Sequence, residues 1–287
     1  MRTLRTILIL LIATNLTLAN DIDNLKTNKD VEKFLVKKVN RKWKDEIFFE
    51  NTEKKDTSSF GKGKFFKIDL DNNGLTDLVI NGKYFFTVTD KGNGKYESHF
   101  IDRGVFMLDK YTLKNIVYKD KTPLLIIENY NEYNFRKNNE TKTDTLVMKF
   151  GEFYEYNAMP DNFKIEEIRF STSHCFGTCP VFELTIKADG TAKYIAIDYN
   201  DKKGKFKTVL DTATFNNFLQ IINYLKLNSL KDEYSVNWTD DQTSTLEIKF
   251  SNGKTKKISD YGMIGTLGLK HLYDQLFALR KTQKWKK

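Results

Sequence analysis

Cysteine, histidine and proline are scarce in this 287-residue chain: two cysteines, three histidines and three prolines. Two cysteines allow one disulfide at most, which excludes a cystine-dense miniprotein scaffold. Three prolines exclude polyproline and collagen-like architectures. Long apolar runs are lacking as well. The one clear run, residues 7–13, falls short of the roughly 20 residues that a membrane span requires. No signal recurs every several tens of residues, so a propeller built by repetition is not expected. With 40% apolar and 30% charged residues, the composition is that of a folded chain and not of a disordered one.

Residues 1–19 have the three parts of a secretory signal: Arg2 and Arg5, the apolar run, and the small-residue site Thr17-Leu18-Ala19. Cleavage after Ala19 is expected. No cysteine stands there to accept a lipid, so the expectation is a soluble exported protein, periplasmic or secreted. Loss of the two leader arginines would lower the formal charge from +9 to +7. The remaining charge is mostly lysine, scattered apart from short clusters such as Lys202-Lys203 and the tail at residues 281–287. That distribution reads as a solvated basic surface. Nucleic-acid binding needs cations gathered on one face of a recognisable module, and is not expected.

Two regions are expected after the leader, residues 20–160 and 161–287, with the break at the polar, proline-interrupted stretch 157–162. The first opens with one amphipathic helix over residues 27–39, capped by Thr27 and Asp30, with Val31, Phe34, Leu35 and Val39 on its apolar stripe. Eight short β runs follow, starting near residues 64, 75, 83, 96, 113, 124, 145 and 153, with Gly/Asn/Asp turns between them. This is an antiparallel, hairpin-built pattern. The second region reads β-β-β-β-α-β-β-α. Its helices are expected at residues 212–225, capped by Asp211 or Thr212, and at 266–280. The fold class is therefore α+β.

The segment Asp69-Leu70-Asp71-Asn72-Asn73-Gly74-Leu75-Thr76-Asp77 sets oxygen side chains at relative positions 1, 3, 5 and 9, with a glycine at 6. Asp69, Asp71, Asn73 and Asp77, with the carbonyl of Leu75, are the ligand types that wrap a hard cation, and calcium is the candidate outside the cell. It is not an EF-hand, because position 12 is Ile80 and the flanks alternate as strands. With Phe60-Gly61-Lys62-Gly63 upstream and Leu78-Val79-Ile80 downstream, it resembles a single aspartate-rich hairpin of the FG-GAP/VCBS type. That resemblance implies a calcium that holds the turn. An Asx-rich β-turn without metal satisfies the same residues.

Both cysteines lie in Ser173-His174-Cys175-Phe176-Gly177-Thr178-Cys179-Pro180. Three readings are open. In the first, Cys175 and Cys179 form a structural disulfide around Gly177 at the entrance to a strand. In the second, the segment does redox or copper chemistry: His174-Cys175-x-x-x-Cys179-Pro180 is similar to the thiol motif of Sco-type copper chaperones, and His271, 92 residues beyond Cys179, would supply a distant ligand. The strand-like alternation of residues 181–186 opposes the thioredoxin fold this would require. In the third, one cysteine is a nucleophile with His174 or His271 as base, although adjacent residues on an extended segment point apart. His99 reads as a surface histidine. Asp240, Asp241 and Asp260 are acids with no spacing to fix their geometry.

The run Cys175-Phe176-Gly177-Thr178-Cys179-Pro180-Val181-Phe182, the Asp189-Gly190 turn, the capped helix near Phe215 and Ser259-Asp260-Tyr261-Gly262 before a last helix resemble an uncharacterised family of exported bacterial domains with a C-x-G-x-C-P-x-[YF] signature. The resemblance spans residues 163–284 and implies an α+β fold and an envelope location, with no activity attached. The expected function is a non-catalytic binding or interaction protein whose partner is an envelope protein or glycan. A thiol-redox or copper-handling protein is the alternative, and a cell-surface hydrolase is a third.

Overall fold

The computed structural model describes residues 20–49, 60–61, 63–101, 109–131 and 142–287. Residues 1–19, where a secretory leader is expected, and Lys62 lie outside them.

The first described residues wrap one face of a sheet. Asn20 caps a 3-10 turn, Asp21–Asn24, and donates its side-chain amide to the Thr76 carbonyl at 2.6 Å. Helix α1, Asn28–Phe34, starts at a reciprocal capping box: Thr27 accepts from the Asp30 amide, and Asp30 accepts from the Thr27 amide at 2.9 Å. The single helix expected over residues 27–39 is not what forms. After Phe34 the backbone widens into a π turn, Leu35–Val39, and a 3-10 turn, Arg41–Asp45, follows. The apolar stripe is nevertheless the one that packs, with Val31, Phe34 and Leu35 buried.

Strands β1 (Lys64–Ile68), β2 (Asp77–Asn81), β3 (Phe85–Asp90) and β4 (Tyr96–Phe100) form an antiparallel meander in chain order. A second meander, also in order, consists of β5 (Asp109–Lys119), β6 (Thr122–Asn131), β7 (Lys142–Lys149) and β8 (Glu152–Glu155). One face of the first sheet packs Leu78, Ile80, Phe86 and Val88 against Ile22, Val31, Leu35 and Phe48. Its other face packs Ile68, Leu70, Val79 and Phe85 against Leu125, Ile127, Leu146 and Phe153 of the second sheet. Every residue of β2 and β3 is consequently buried.

The remaining elements are β9 (Ile165–Thr172), β10 (Val181–Lys187), β11 (Thr191–Asp198), β12 (Gly204–Val209), α2 (Thr212–Tyr224), β13 (Glu233–Ser235), β14 (Thr243–Phe250), β15 (Thr255–Tyr261) and α3 (Leu267–Thr282). Their strands make one seven-stranded sheet in the order β12-β11-β10-β9-β14-β15-β13. The expected order β-β-β-β-α-β-β-α lacks one strand: β13 lies between α2 and β14 and pairs in parallel with β15. Ile168, Phe170, Phe182, Leu184, Leu246 and Ile248 line the inner face under α2 and α3. Each such side chain contributes about 1.5–3 kcal/mol by leaving water. The outer face carries charge pairs such as Arg169 with Glu167 and Glu247.

The middle sheet belongs to two cores. Leu125 and Leu146 face the first sheet, whereas Leu124, Val147 and Tyr154 join the core beneath α2 and α3, as strand alternation requires. The connection after β8 is tied along α2: Asn157 donates to the Tyr224 carbonyl at 2.8 Å, and the amides of Asp161 and Phe163 bond to Asn223. No helix among the described residues is long and apolar enough to cross a membrane.

Candidate functional site

Cys175 and Cys179 are joined by a disulfide, their Cα atoms 5.8 Å apart. The loop that they close connects β9 to β10 and is fastened to the sheet beside it. The Gln242 side-chain amide donates to the carbonyls of Ser173 at 2.7 Å and Pro180 at 3.0 Å, bridging both stems. Thr172 donates to the Pro180 carbonyl at 2.8 Å and accepts from the Phe182 amide. The Phe176 amide reaches across to the carbonyl of Asp240 at 2.9 Å. Pro180 sits just ahead of β10, where its missing N–H is not needed by the ladder.

These restraints hold up a side chain that the core does not use: Phe176, at the tip, is 89% exposed. Two further groups lie at the same end of the sheet. His174 Nε2 stands 3.0 Å from Asp198 Oδ2, an interaction that holds the Asp198 carboxyl below its usual range. Tyr199, next in the chain and in the left-handed region at φ 53°, is 57% exposed.

Of the copper and redox set, His174, Cys175 and Cys179 share this loop, with both sulfurs in the disulfide. His271 lies on α3 against the Tyr154 ring of β8, centroids 5.4 Å apart, and burial pushes its pKa down. Asp260, one of the three acids considered from sequence, is buried and accepts the amides of Ile264 and Gly265 at 2.9 and 3.0 Å. It fastens the turn into α3, and burial pushes its pKa up to about 6. Asp241 accepts from Trp238 Nε1 and from the Gln242 amide, which orients the segment that clamps the disulfide loop.

The acidic turn does gather. Asp69, Asp71 and Asp77 offer oxygens within 4.8 Å of one another, the one cluster of three or more metal-type side chains among the described residues. The turn is also closed by its own hydrogen bonds. Asp77 accepts the amides of Leu70 and Asp90, both at 2.7 Å; Asp69 accepts those of Asn73 and Gly74; Asn73 Oδ1 accepts from Leu75. Lys91 Nζ lies 2.9 Å from Asp71 and supplies a positive charge at the cluster. Three carboxylates fit a hard cation, and an ion there would displace Lys91.

His99, expected at the surface, is 5% exposed. Its Nε2 is 2.9 Å from Thr89 Oγ1 and its Nδ1 is 3.1 Å from Glu152 Oε2. With Nδ1 protonated, the ring donates to Glu152 and accepts the Thr89 hydroxyl. Hydroxyl, imidazole and carboxylate stand in the order of a nucleophile relay, but Thr89 has no exposed surface. The chain of bonds joins the first sheet to the second instead. Its hydrogen bond to His99 draws the Glu152 carboxyl down against the opposing effect of burial. Sequence alternation in residues 96–100 carries no sign of this, because one polar residue takes an inward position normally held by an apolar one.

Removal of the disulfide is expected to be tolerated. Cys175→Ser with Cys179→Ser should lower stability by about 2 kcal/mol, the loop-entropy value for so short a loop. Gln242 and Thr172 would keep the stems together. Urea midpoints of parent and variant under non-reducing conditions test this, and an unfolded variant would contradict it.

No curated protein and no solved structure matches the chain. Residues 166–280, a span that includes the disulfide loop, nearly all of the seven-stranded sheet and α3 as far as Arg280, match the model of a family described as a domain of unknown function (DUF6438).

Proposed function

We propose that this chain is an exported, non-catalytic binding protein of the bacterial envelope, and that it takes its partner, an envelope protein or glycan, at the disulfide end of the seven-stranded sheet. The observation that carries this reading is Phe176: a large apolar side chain, 89% exposed, on a loop restrained by a disulfide and by the Gln242 bridge. Fixing an apolar group in water costs stability and suits a pre-organised anchor, since little conformational entropy remains to be lost on binding. Tyr199 and the His174–Asp198 pair supply an aromatic and polar rim. Export is supported by the leader-like residues 1–19 together with the disulfide, which persists in oxidising compartments. Calcium at Asp69, Asp71 and Asp77 is the structural part of the proposal, a clip on the turn between β1 and β2.

A photo-reactive phenylalanine analogue in place of Phe176, in cells that export the chain, tests the binding face. A discrete cross-linked adduct is expected from that position and not from Met159, which is 84% exposed elsewhere. The same adduct pattern from both positions would overturn the assignment.

A further inference from the structure

Close to the disulfide end lies a second feature with a different chemistry. Asn200, in the loop between β11 and β12, is held by four groups. Its amide donates to the carbonyls of Val181 and Asp198, both at 2.7 Å, and its Oδ1 accepts from Tyr194 OH and Arg280 Nη1, both at 3.0 Å. Arg280, in the last turn of α3, is thereby fixed at one terminal nitrogen, while its Nε donates to the Phe277 carbonyl at 3.0 Å. Two rings hold the guanidinium plane: its central carbon is 4.8 Å from the Phe182 centroid and 5.3 Å from that of Phe277. The side chain is half-buried, and burial pulls its pKa down, so the charge is held at some expense. Among the described residues it has no carboxylate within ion-pair distance, and Nη2 has no hydrogen-bond partner.

A cavity of about 180 Å³ opens here, lined by Arg280, Lys202, Lys281, Asp201, Tyr194 and Gln283. Three cations therefore face one carboxylate. The volume exceeds that of a few waters but is smaller than the roughly 300 Å³ that a whole drug-sized ligand needs, so it suits one functional group and not an entire molecule. A guanidinium fixed in orientation, with donors left over, is matched by a planar or tetrahedral oxyanion that accepts two N–H groups side by side.

We propose that this cavity binds an oxyanion group, a carboxylate or a phosphate, gripped by Arg280 with Lys202 and Lys281 adding charge. Helix-terminal placement alone does not explain the arrangement. Neutralising the carbonyl end of α3 would need a cation there, but not the stacking rings and the Asn200 brace that fix its orientation.

The test uses the purified full-length mature chain, titrated separately with inorganic phosphate and with acetate while chloride holds ionic strength constant. Binding is followed by calorimetry and by the fluorescence of Trp285, whose ring centroid lies 5.2 Å from that of Tyr194 in the cavity wall. Saturable binding of at least one anion is expected, and the tighter of the two identifies the group. Arg280→Lys should weaken it about tenfold, because the point charge remains while the bidentate geometry is lost. Should that variant fail to fold, the Lys202→Ala, Lys281→Ala double variant, which spares the packed guanidinium, should weaken binding several-fold. No saturable binding of either anion by the parent, or binding unchanged in whichever of these variants folds, would overturn the proposal. The outcome is independent of the Phe176 cross-link, which reports the partner and not the anion.

Discussion

Replacing Glu155 by alanine is expected to lower stability by about 3 kcal/mol, because its carboxylate on β8 accepts the amides of Leu267 at 2.7 Å and Gly268 at 3.1 Å. These are the first two residues of α3, and both are buried. Without the carboxylate, two part-buried N–H groups lose their protein partner, and the positive end of a 16-residue helix loses its compensating charge. The approach is close as well. A Cβ on Gly268 would come within 2.5 Å of Leu225 Cδ2 and 2.8 Å of Tyr154 Cδ1, so only glycine allows α3 to come near enough for Glu155 to reach it. Glu155 also lines a cavity of about 440 Å³ with Tyr154, Tyr224 and Tyr234, so the alanine variant opens that space further. Glu155→Gln should fall between parent and alanine, since one acceptor survives while the amide group opposes the second N–H. Urea midpoints measure both, and an alanine variant within 0.5 kcal/mol of the parent, an amount typical of uninvolved surface positions, would contradict the clamp.

Asp77→Ala is expected to cost a similar amount, about 2–4 kcal/mol, by leaving the buried amides of Leu70 and Asp90 without acceptors. The same residue sets a pH dependence. Burial raises the Asp77 pKa to about 7, with Asp71 and Asp69 adding to the rise and the two amides opposing it. A folded-state value above the unfolded one, about 3.9, means that the native protein holds a proton that the unfolded chain has released. Its stabilising effect is complete below the unfolded pKa and is lost as pH rises through about 7. Asp260, raised to about 6, acts in the same sense. Glu152, whose pKa is lowered, acts in the opposite sense, but only as pH falls below the unfolded glutamate value of about 4.3. The parent should therefore be more stable at pH 5 than at pH 8, and Asp77→Ala should flatten that slope between pH 5 and 7. Calcium at the turn needs the ionised carboxylate and competes with the proton, so a calcium-induced rise in Tm should appear at pH 8, fade by pH 6, and be absent from Asp77→Ala. A parent whose Tm ignores calcium at pH 8 would remove the metal from the proposal, while the stability loss in Asp77→Ala would stand.

Much of the local structure was legible before any fold was known. β1 and β4 begin at residues 64 and 96, where short β runs are expected from the sequence. Thr27, Asp211 and Thr266 stand at helix starts, each accepting a backbone amide three residues on. Cys175 and Cys179 could pair because so few residues separate them. The misses share one cause. β13 has no alternation of its own and is a strand only because β15 lies beside it in parallel. His99 stands in a strand whose sequence promises solvent, and is buried because Glu152, 53 positions away, receives its ring nitrogen. Arg280 reads as an ordinary cation closing a helix until Asn200, 80 residues earlier, takes one of its donors.

By itself the sequence determined what is decided within a few residues: helix caps, turn glycines, strand alternation, and a cysteine pair that can meet across a short loop. Those choices rest on hydrogen bonds and sterics between near neighbours, and they hold wherever the segment lies. Only the tertiary structure decided that Asp77 and Asp260 would be buried carboxylates, that Glu155 would hold the start of α3, and that a guanidinium with unused donors would face a cavity. Each of those outcomes depends on which distant surfaces exclude water together, and desolvation changes the chemistry of a side chain without altering its sequence neighbours.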